Sequence, residues 1–147
     1  MKKVLSLICL IVLSAATTHA YREDVSMIPV MKKSLEIINL IEEQDNEIVR
    51  IEYDIVATKK ESFRTLSSQY VYGIIAFGDD RIKDLDVRLY RKRGSSWELV
   101  AKDNDSNNVA AVTVSPDEPG EYKIEVSAYS FYKDYSVGHY GLIIYHE

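Results

Sequence analysis

Residues 84–126 read DLDVRLYRKRGSSWELVAKDNDSNNVAAVTVSPDEPGEYKIEV, and this block constrains the fold more than any other. Apolar and polar residues alternate along it, the period of strands that bury one face. Leu85, Val87 and Leu89 face one way, with Asp86, Arg88 and Tyr90 opposite. Arg93-Gly-Ser-Ser96 is a hairpin turn, where Gly94 supplies left-handed geometry at low cost. Asp103-Asn-Asp-Ser-Asn-Asn108 and Asp117-Glu-Pro-Gly120 are further turns, rich in residues that bend a chain. Trp97, Leu99 and Ala101 begin the return strand, and Ala110, Val112 and Val114 form the next. Tyr122, Ile124, Val126 and Ala128 continue the same period.

The pattern extends to both sides. Val49, Ile51, Tyr53 and Ile55 alternate with Arg50, Glu52 and Asp54, which predicts a half-buried strand with its apolar members inward. Lys59-Lys-Glu61 reads as a turn and Ser62–Leu66 as a short strand. Tyr70–Phe77 is apolar on both faces, as a central strand requires, and Gly78-Asp-Asp80 ends it. Tyr140, Leu142 and Ile144 alternate with Gly141, Ile143 and Tyr145 in the last strand. About eight strands result, with no helix between them long enough for a parallel crossover. The expected fold is all-β: an antiparallel β-sandwich or jelly roll over residues 47–147, preceded by an amphipathic helix.

That helix is expected over about 27–44, within an extension of residues 21–46. Met31, Leu35, Ile38 and Ile41 recur at helical spacing. Their stripe either packs on the sheet or meets a partner. Residues 1–20 read as a secretory signal peptide: Lys2 and Lys3, an apolar run from Val4 to Leu13, and Thr18-His-Ala20 at the cleavage site. The run is short for a membrane span, and none is expected in the mature chain.

Removal of that segment leaves 16 Lys plus Arg against 23 Asp plus Glu, a formal charge of −7. So acidic a domain lacks the positive field that nucleic acid or an anionic membrane needs. Cys9 is the single cysteine and lies in the signal segment, so disulfides, thiol catalysis and zinc–thiolate sites are excluded from the mature domain. The expected location is the periplasm or exterior of a bacterium.

The block also resembles the bacterial pre-peptidase C-terminal domain family. The motifs are Tyr72-Gly-Ile-Ile-Ala-Phe-Gly-Asp79, Asp84-Leu-Asp-Val-Arg-Leu-Tyr90, Val100-Ala-Lys-Asp-Asn-Asp105, Glu118-Pro-Gly-Glu-Tyr122 and the closing Tyr140-Gly-Leu-Ile-Ile144. They span roughly residues 60–145. The resemblance implies a β-sandwich module on an exported protein, here without a peptidase domain on the same chain. Some relatives bind calcium.

Two constellations could carry function. Asp84, Asp86, Asp103 and Asp105 lie near one end of a hairpin and could supply oxygens to a calcium ion. The same residues could equally stabilise turns through hydrogen bonds to backbone. Their spacing is not that of an EF-hand. Tyr129, Phe131, Tyr132 and Tyr135 crowd the connection before the last strand. Aromatics with a polar tip suit a glycan or an envelope protein partner, or the packing of a long loop. Catalysis finds no motif. There is no Gly-x-Ser-x-Gly, no His-Glu-x-x-His and no P-loop. His139 reads as a loop residue and His146 as exposed near the end of the chain. The expected function is non-enzymatic binding or structural support in the cell envelope, with an unrecognised hydrolase as the remaining alternative.

Overall fold

The computed structural model describes residues 26–147. The signal-peptide reading of residues 1–20 lies outside them. Helix α1 spans Ile28–Glu42, with Pro29 in its first turn, where a missing N–H costs nothing. Asp45 takes a left-handed φ of 60° and turns the chain into the first strand. Eight strands follow: β1 (Glu47–Val56), β2 (Lys59–Leu66), β3 (Tyr72–Gly78), β4 (Ile82–Arg93), β5 (Ser96–Asp103), β6 (Val109–Val114), β7 (Gly120–Phe131) and β8 (Gly138–His146).

They form two antiparallel four-stranded sheets, ordered β1-β8-β3-β6 and β2-β7-β4-β5. The chain passes from one sheet to the other at every connection except the β4–β5 hairpin. Between the sheets lies one core built on Ile74, Leu85, Val87, Leu89, Tyr122, Ile124, Val126 and Leu142. The expected sandwich is therefore present, and β4 and β7 bury the residues that their alternation assigns inward.

The outer face of the first sheet carries a second apolar cluster. Val30 and Ile41 of α1 pack there with Phe77 of β3 and Ile143 of β8. This explains why β3 and β8 are apolar on both faces: one side meets the core and the other the helix. Two glycines make room for it. A Cβ on Gly141 would lie 2.3 Å from the Phe77 ring, and one on Gly73 would lie 2.1 Å from Tyr145. Each aromatic lies over the glycine directly across from it.

Three expectations are corrected. The first is the helix stripe. Val30, Ser34 and Ile41 are the buried positions, while Met31 is 48% and Leu35 61% exposed. The Ser34 hydroxyl accepts a 2.7 Å hydrogen bond from Tyr53 and sits at the centre of the buried stripe. The second is the β1 face. Glu52 pairs with Leu142 and Asp54 with Tyr140, so the polar residues share the inward face. Ile51 and Tyr53 lie on the helix side, opposite Ile143 and Gly141. The strand sits at a sheet edge with a helix behind it, so its apolar side has a partner outside the sandwich. The third is the β1–β2 turn, which is Ala57-Thr58; Lys59-Lys60-Glu61 already belongs to β2.

Candidate functional site

Up-and-down strand directions collect the β1–β2, β3–β4, β5–β6 and β7–β8 connections at one end of the sandwich. Both constellations read from the sequence are therefore neighbours. Asp84 lies directly opposite Ser130, one residue from Tyr129. The β7–β8 loop is tied to the β3–β4 turn by the Tyr132 N–H, which donates to the Arg81 carbonyl at 3.0 Å.

The β3–β4 turn is itself anchored by buried charge. The Asp79 carboxylate accepts the His139 backbone N–H at 2.8 Å and the Arg81 backbone N–H at 3.0 Å. The Arg81 guanidinium donates to the same carboxylate through Nε and Nη2. Arg81 Nη2 also lies 2.7 Å from His139 Nδ1. A guanidinium only donates, so Nδ1 accepts and the neutral ring carries its proton on Nε2. His139 is thus a buried strand residue of β8, and the reading of it as a loop residue is corrected. Its partners Asp79 and Arg81 lie 60 and 58 positions away in the chain, and only the pairing of β3 with β8 brings them together. This cluster was not legible in the sequence as a unit. Its one signal was a polar His139 immediately before an apolar strand.

The tyrosines are presented by a break in pairing. Register shifts between Ile82 and Asp84 and between Asp84 and Leu85 leave Lys83 and Tyr129 without direct partners. Such bulges re-aim side chains, and Tyr129 is 78% exposed. Tyr132 and Tyr135 are also exposed. Their loop is tightened by a Tyr135 N–H to Tyr132 carbonyl bond of 3.2 Å and by Asp134, whose φ is 74°. Phe131 does not join them. It pairs with Ile82 and packs against the main core, because the same break in register turns it inward.

The acidic residues divide among different tasks. Asp103 Oδ1 accepts the Asp105 N–H at 3.0 Å and Oδ2 accepts the Ala111 N–H at 2.9 Å, so both oxygens hold backbone. Asp105 is exposed, and its carbonyl accepts the Asn107 N–H at 2.8 Å. Asp86 is buried on the outer side of the second sheet and pairs with Arg88 at 3.2 Å. Burial pushes its pKa above the ordinary carboxylate value; Arg88 pulls it down, and Asp84 and Asp103 push it up. Asp84 Oδ2 accepts the Ser106 hydroxyl at 3.3 Å, while its buried Oδ1 has no partner. Among the described residues, no group of three or more carboxylate or imidazole side chains converges on a point where a metal could sit.

His146 is corrected as well. Its ring stacks on Tyr70 at 4.0 Å between centroids and meets the Tyr72 ring edge-on at 6.0 Å. Among the described residues, no helix is long and apolar enough to cross a membrane.

These features define a two-sheet antiparallel sandwich that presents its loops at one end. No protein-family model matches the chain, and no curated protein matches it. Among solved structures it is similar to the pre-peptidase C-terminal domain of collagenase from Bacillus anthracis. The TM-score is 0.50 at 15% identity, over 65% of this chain and 87% of that one. It is also similar to the Yersinia pseudotuberculosis-derived mitogen, with a TM-score of 0.49 at 12% identity over 67% of this chain and 85% of that one. A third similar structure is Aeromonas hydrophila PliG, a periplasmic inhibitor of g-type lysozyme, with a TM-score of 0.42 at 10% identity over 71% of this chain and 90% of that one. The first of these shares the fold that the sequence motifs imply. At such identities the likeness is one of fold alone.

Proposed function

We propose that this chain is a non-enzymatic, exported binding module of the bacterial envelope that engages its ligand through the four-loop end. One observation carries the reading. Tyr129, Tyr132 and Tyr135 are exposed together on a rim held by the buried Asp79–Arg81–His139 cluster. Large aromatics held out into water on a rigid frame lose little conformational freedom when they bind. Tyrosine faces stack on the apolar faces of sugar rings, and the Asp and Asn side chains of the β5–β6 loop offer partners for hydroxyls. A glycan is the ligand class that uses both. Among the described residues both imidazoles are engaged, His139 in the buried cluster and His146 in an aromatic stack, which supports a non-catalytic role.

A glycan array probed with the purified protein tests this. The expected result is binding that Tyr129→Ala and Tyr132→Ala abolish while leaving the melting temperature unchanged. Array-wide silence, with capture of an envelope protein that the same substitutions abolish, would assign the rim to a protein ligand instead. Binding that survives both substitutions would remove the rim from the function.

A second reading, calcium at this end, rests on Asp84 Oδ1. It is a buried carboxylate oxygen without a hydrogen bond, and such an atom costs free energy unless something occupies it. Asp86 and the Ser106 hydroxyl stand near it, whereas Asp103 and Asp105 have other work or point to solvent. A melting temperature raised by millimolar calcium, and insensitive to it in Asp84→Asn, is the expected result. An identical melt in calcium and in chelator sinks this reading.

A further inference from the structure

The open side of the sandwich between β1 and β2 holds a feature that the loop end does not use. Arg50, Glu52 and Asp54 of β1 face inward, as do Lys60, Ser62 and Arg64 of β2. Lys60 pairs with Asp54 at 2.9 Å. Glu52 is then left to two guanidiniums: Arg50 Nε at 2.5 Å and Arg64, in direct contact through Nη2. Inward charges on edge strands deter edge-to-edge pairing, and that accounts for their presence. It does not account for their imbalance, two cations sharing one anion. It also does not account for two buried donors, Arg64 Nε and the Ser62 hydroxyl, that have no partner among the described residues. Burial, followed by the charge of Arg50, lowers the pKa of Arg64.

Beside these groups is a cleft of about 250 Å³, lined by Val49, Arg50, Arg64, Leu66, Tyr72 and Ile144. Its lining is mixed, with Val49, Leu66, Tyr72 and Ile144 as the apolar part and Arg50, Arg64 and Thr65 as the polar part. Its volume lies just below the ~300 Å³ at which drug-sized ligand sites begin. It opens towards the end of the sandwich opposite the four loops, since Leu66 closes β2 and Tyr72 opens β3. We infer that this lateral cleft binds a small amphiphilic carboxylate, its head on the Arg64 and Arg50 guanidiniums and its short aliphatic chain along Leu66, Tyr72 and Ile144. A carboxylate presents two coplanar oxygens that match the guanidinium fork. It balances the excess charge and gives the orphan Nε an acceptor. A cation does neither, and an alcohol accepts the hydrogen bond but leaves the charge unbalanced. The site is independent of the tyrosine rim, so either can fail alone.

The test is calorimetric titration of the purified protein with hexanoate, and with hexanol and hexylamine as head-group controls. Hexanoate should saturate one site per chain. The two controls should bind at least roughly tenfold more weakly, the least that a charge-assisted pair contributes. Glu52→Gln should tighten hexanoate several-fold, because it removes the internal competitor and frees both arginines. A purely structural ion-pair role predicts no such gain. Arg64→Met, which keeps most of the stem, should lose binding. Arg50→Met, at a half-exposed position that leaves the fold intact, should weaken it and reads the same effect if the first variant does not fold. Equal affinity for hexanoate and hexanol would overturn the inference. So would absence of hexanoate binding in both the wild type and Glu52→Gln, or undiminished binding in folded Arg50→Met.

Discussion

Asp79 and His139 hold each other by backbone and side chain together. The Asp79 N–H donates to the His139 carbonyl at 3.0 Å, and the Asp79 carboxylate accepts the His139 N–H at 2.8 Å. This clamp joins the end of β3 to the start of β8 and fixes the turn on which the tyrosine rim stands. Asp79 also neutralises Arg81, whose side chain is only 13% exposed. Asp79→Ala would leave a buried guanidinium without its counter-charge, which costs roughly 3–5 kcal/mol. Urea denaturation should show that loss. The double variant Asp79→Ala/Arg81→Met should recover part of it, because the orphan charge is then gone.

Gly141 faces Phe77 across the β3–β8 pair, with no room for a methyl group. The constraint is one of space, since Gly141 has no left-handed backbone. Gly141→Ala should cost about 1–3 kcal/mol, the range for overpacking a well-filled core. Phe77→Leu in the same chain should relieve the clash. Thermal melts of the two single variants and the double variant, showing less than additive loss, are the expected outcome.

The phase of α1 is tested by a pair of truncations. Ile41→Ala removes a fully packed side chain from the helix–sheet cluster and should cost about 2–5 kcal/mol. Leu35→Ala alters a residue that is mostly in water and should stay within roughly 0.5 kcal/mol of the wild type. Equal losses in denaturant titrations would place Leu35 on the buried side.

Asp86 gives stability an unusual dependence on pH. Its folded-state pKa is raised above the ordinary 3.8, chiefly by burial. The folded protein therefore binds this proton more tightly than the unfolded chain. The contribution of Asp86 to stability thus rises as pH falls through its folded pKa towards 3.8. Asp54 works in the opposite sense. Its pKa is lowered by the Lys60 hydrogen bond, so its contribution is present above 3.8 and is lost as pH falls below it. Asp86→Asn should melt higher than the wild type at pH 7, and the difference should close as the solution is acidified towards the ordinary carboxylate value. A lower melt for Asp86→Asn at neutral pH would show that the Arg88 pair outweighs burial.

Period-two alternation through residues 84–126 by itself determined the sandwich, because a strand with one greasy face must find another sheet to cover it. The two-faced apolar runs of β3 and β8 likewise announced central strands, and the turn chemistry located most of the connections. The candidate residues were also legible as types: acid-rich loops and a crowd of tyrosines. Where each of them sits was decided in three dimensions. Alternation states that two faces differ, but not which face is covered. On β1 the helix lies behind Tyr53, so Ile51 and Tyr53 turn outward while Arg50, Glu52 and Asp54 face the other sheet, Arg50 lining the lateral cleft. Helical spacing near Met31 permits more than one stripe, and contact with Phe77 and Ile143 selected the one centred on Val30, Ser34 and Ile41. Phe131 and Tyr129 are two residues apart and alike in chemistry, yet a break in register sends one into the core and the other into water. Asp79, Arg81 and His139 meet only because β3 and β8 are neighbours in a sheet. Local periodicity can state how a segment divides itself between two environments. Which environment lies on each side depends on residues far away in the chain, and only the packed molecule brings those together.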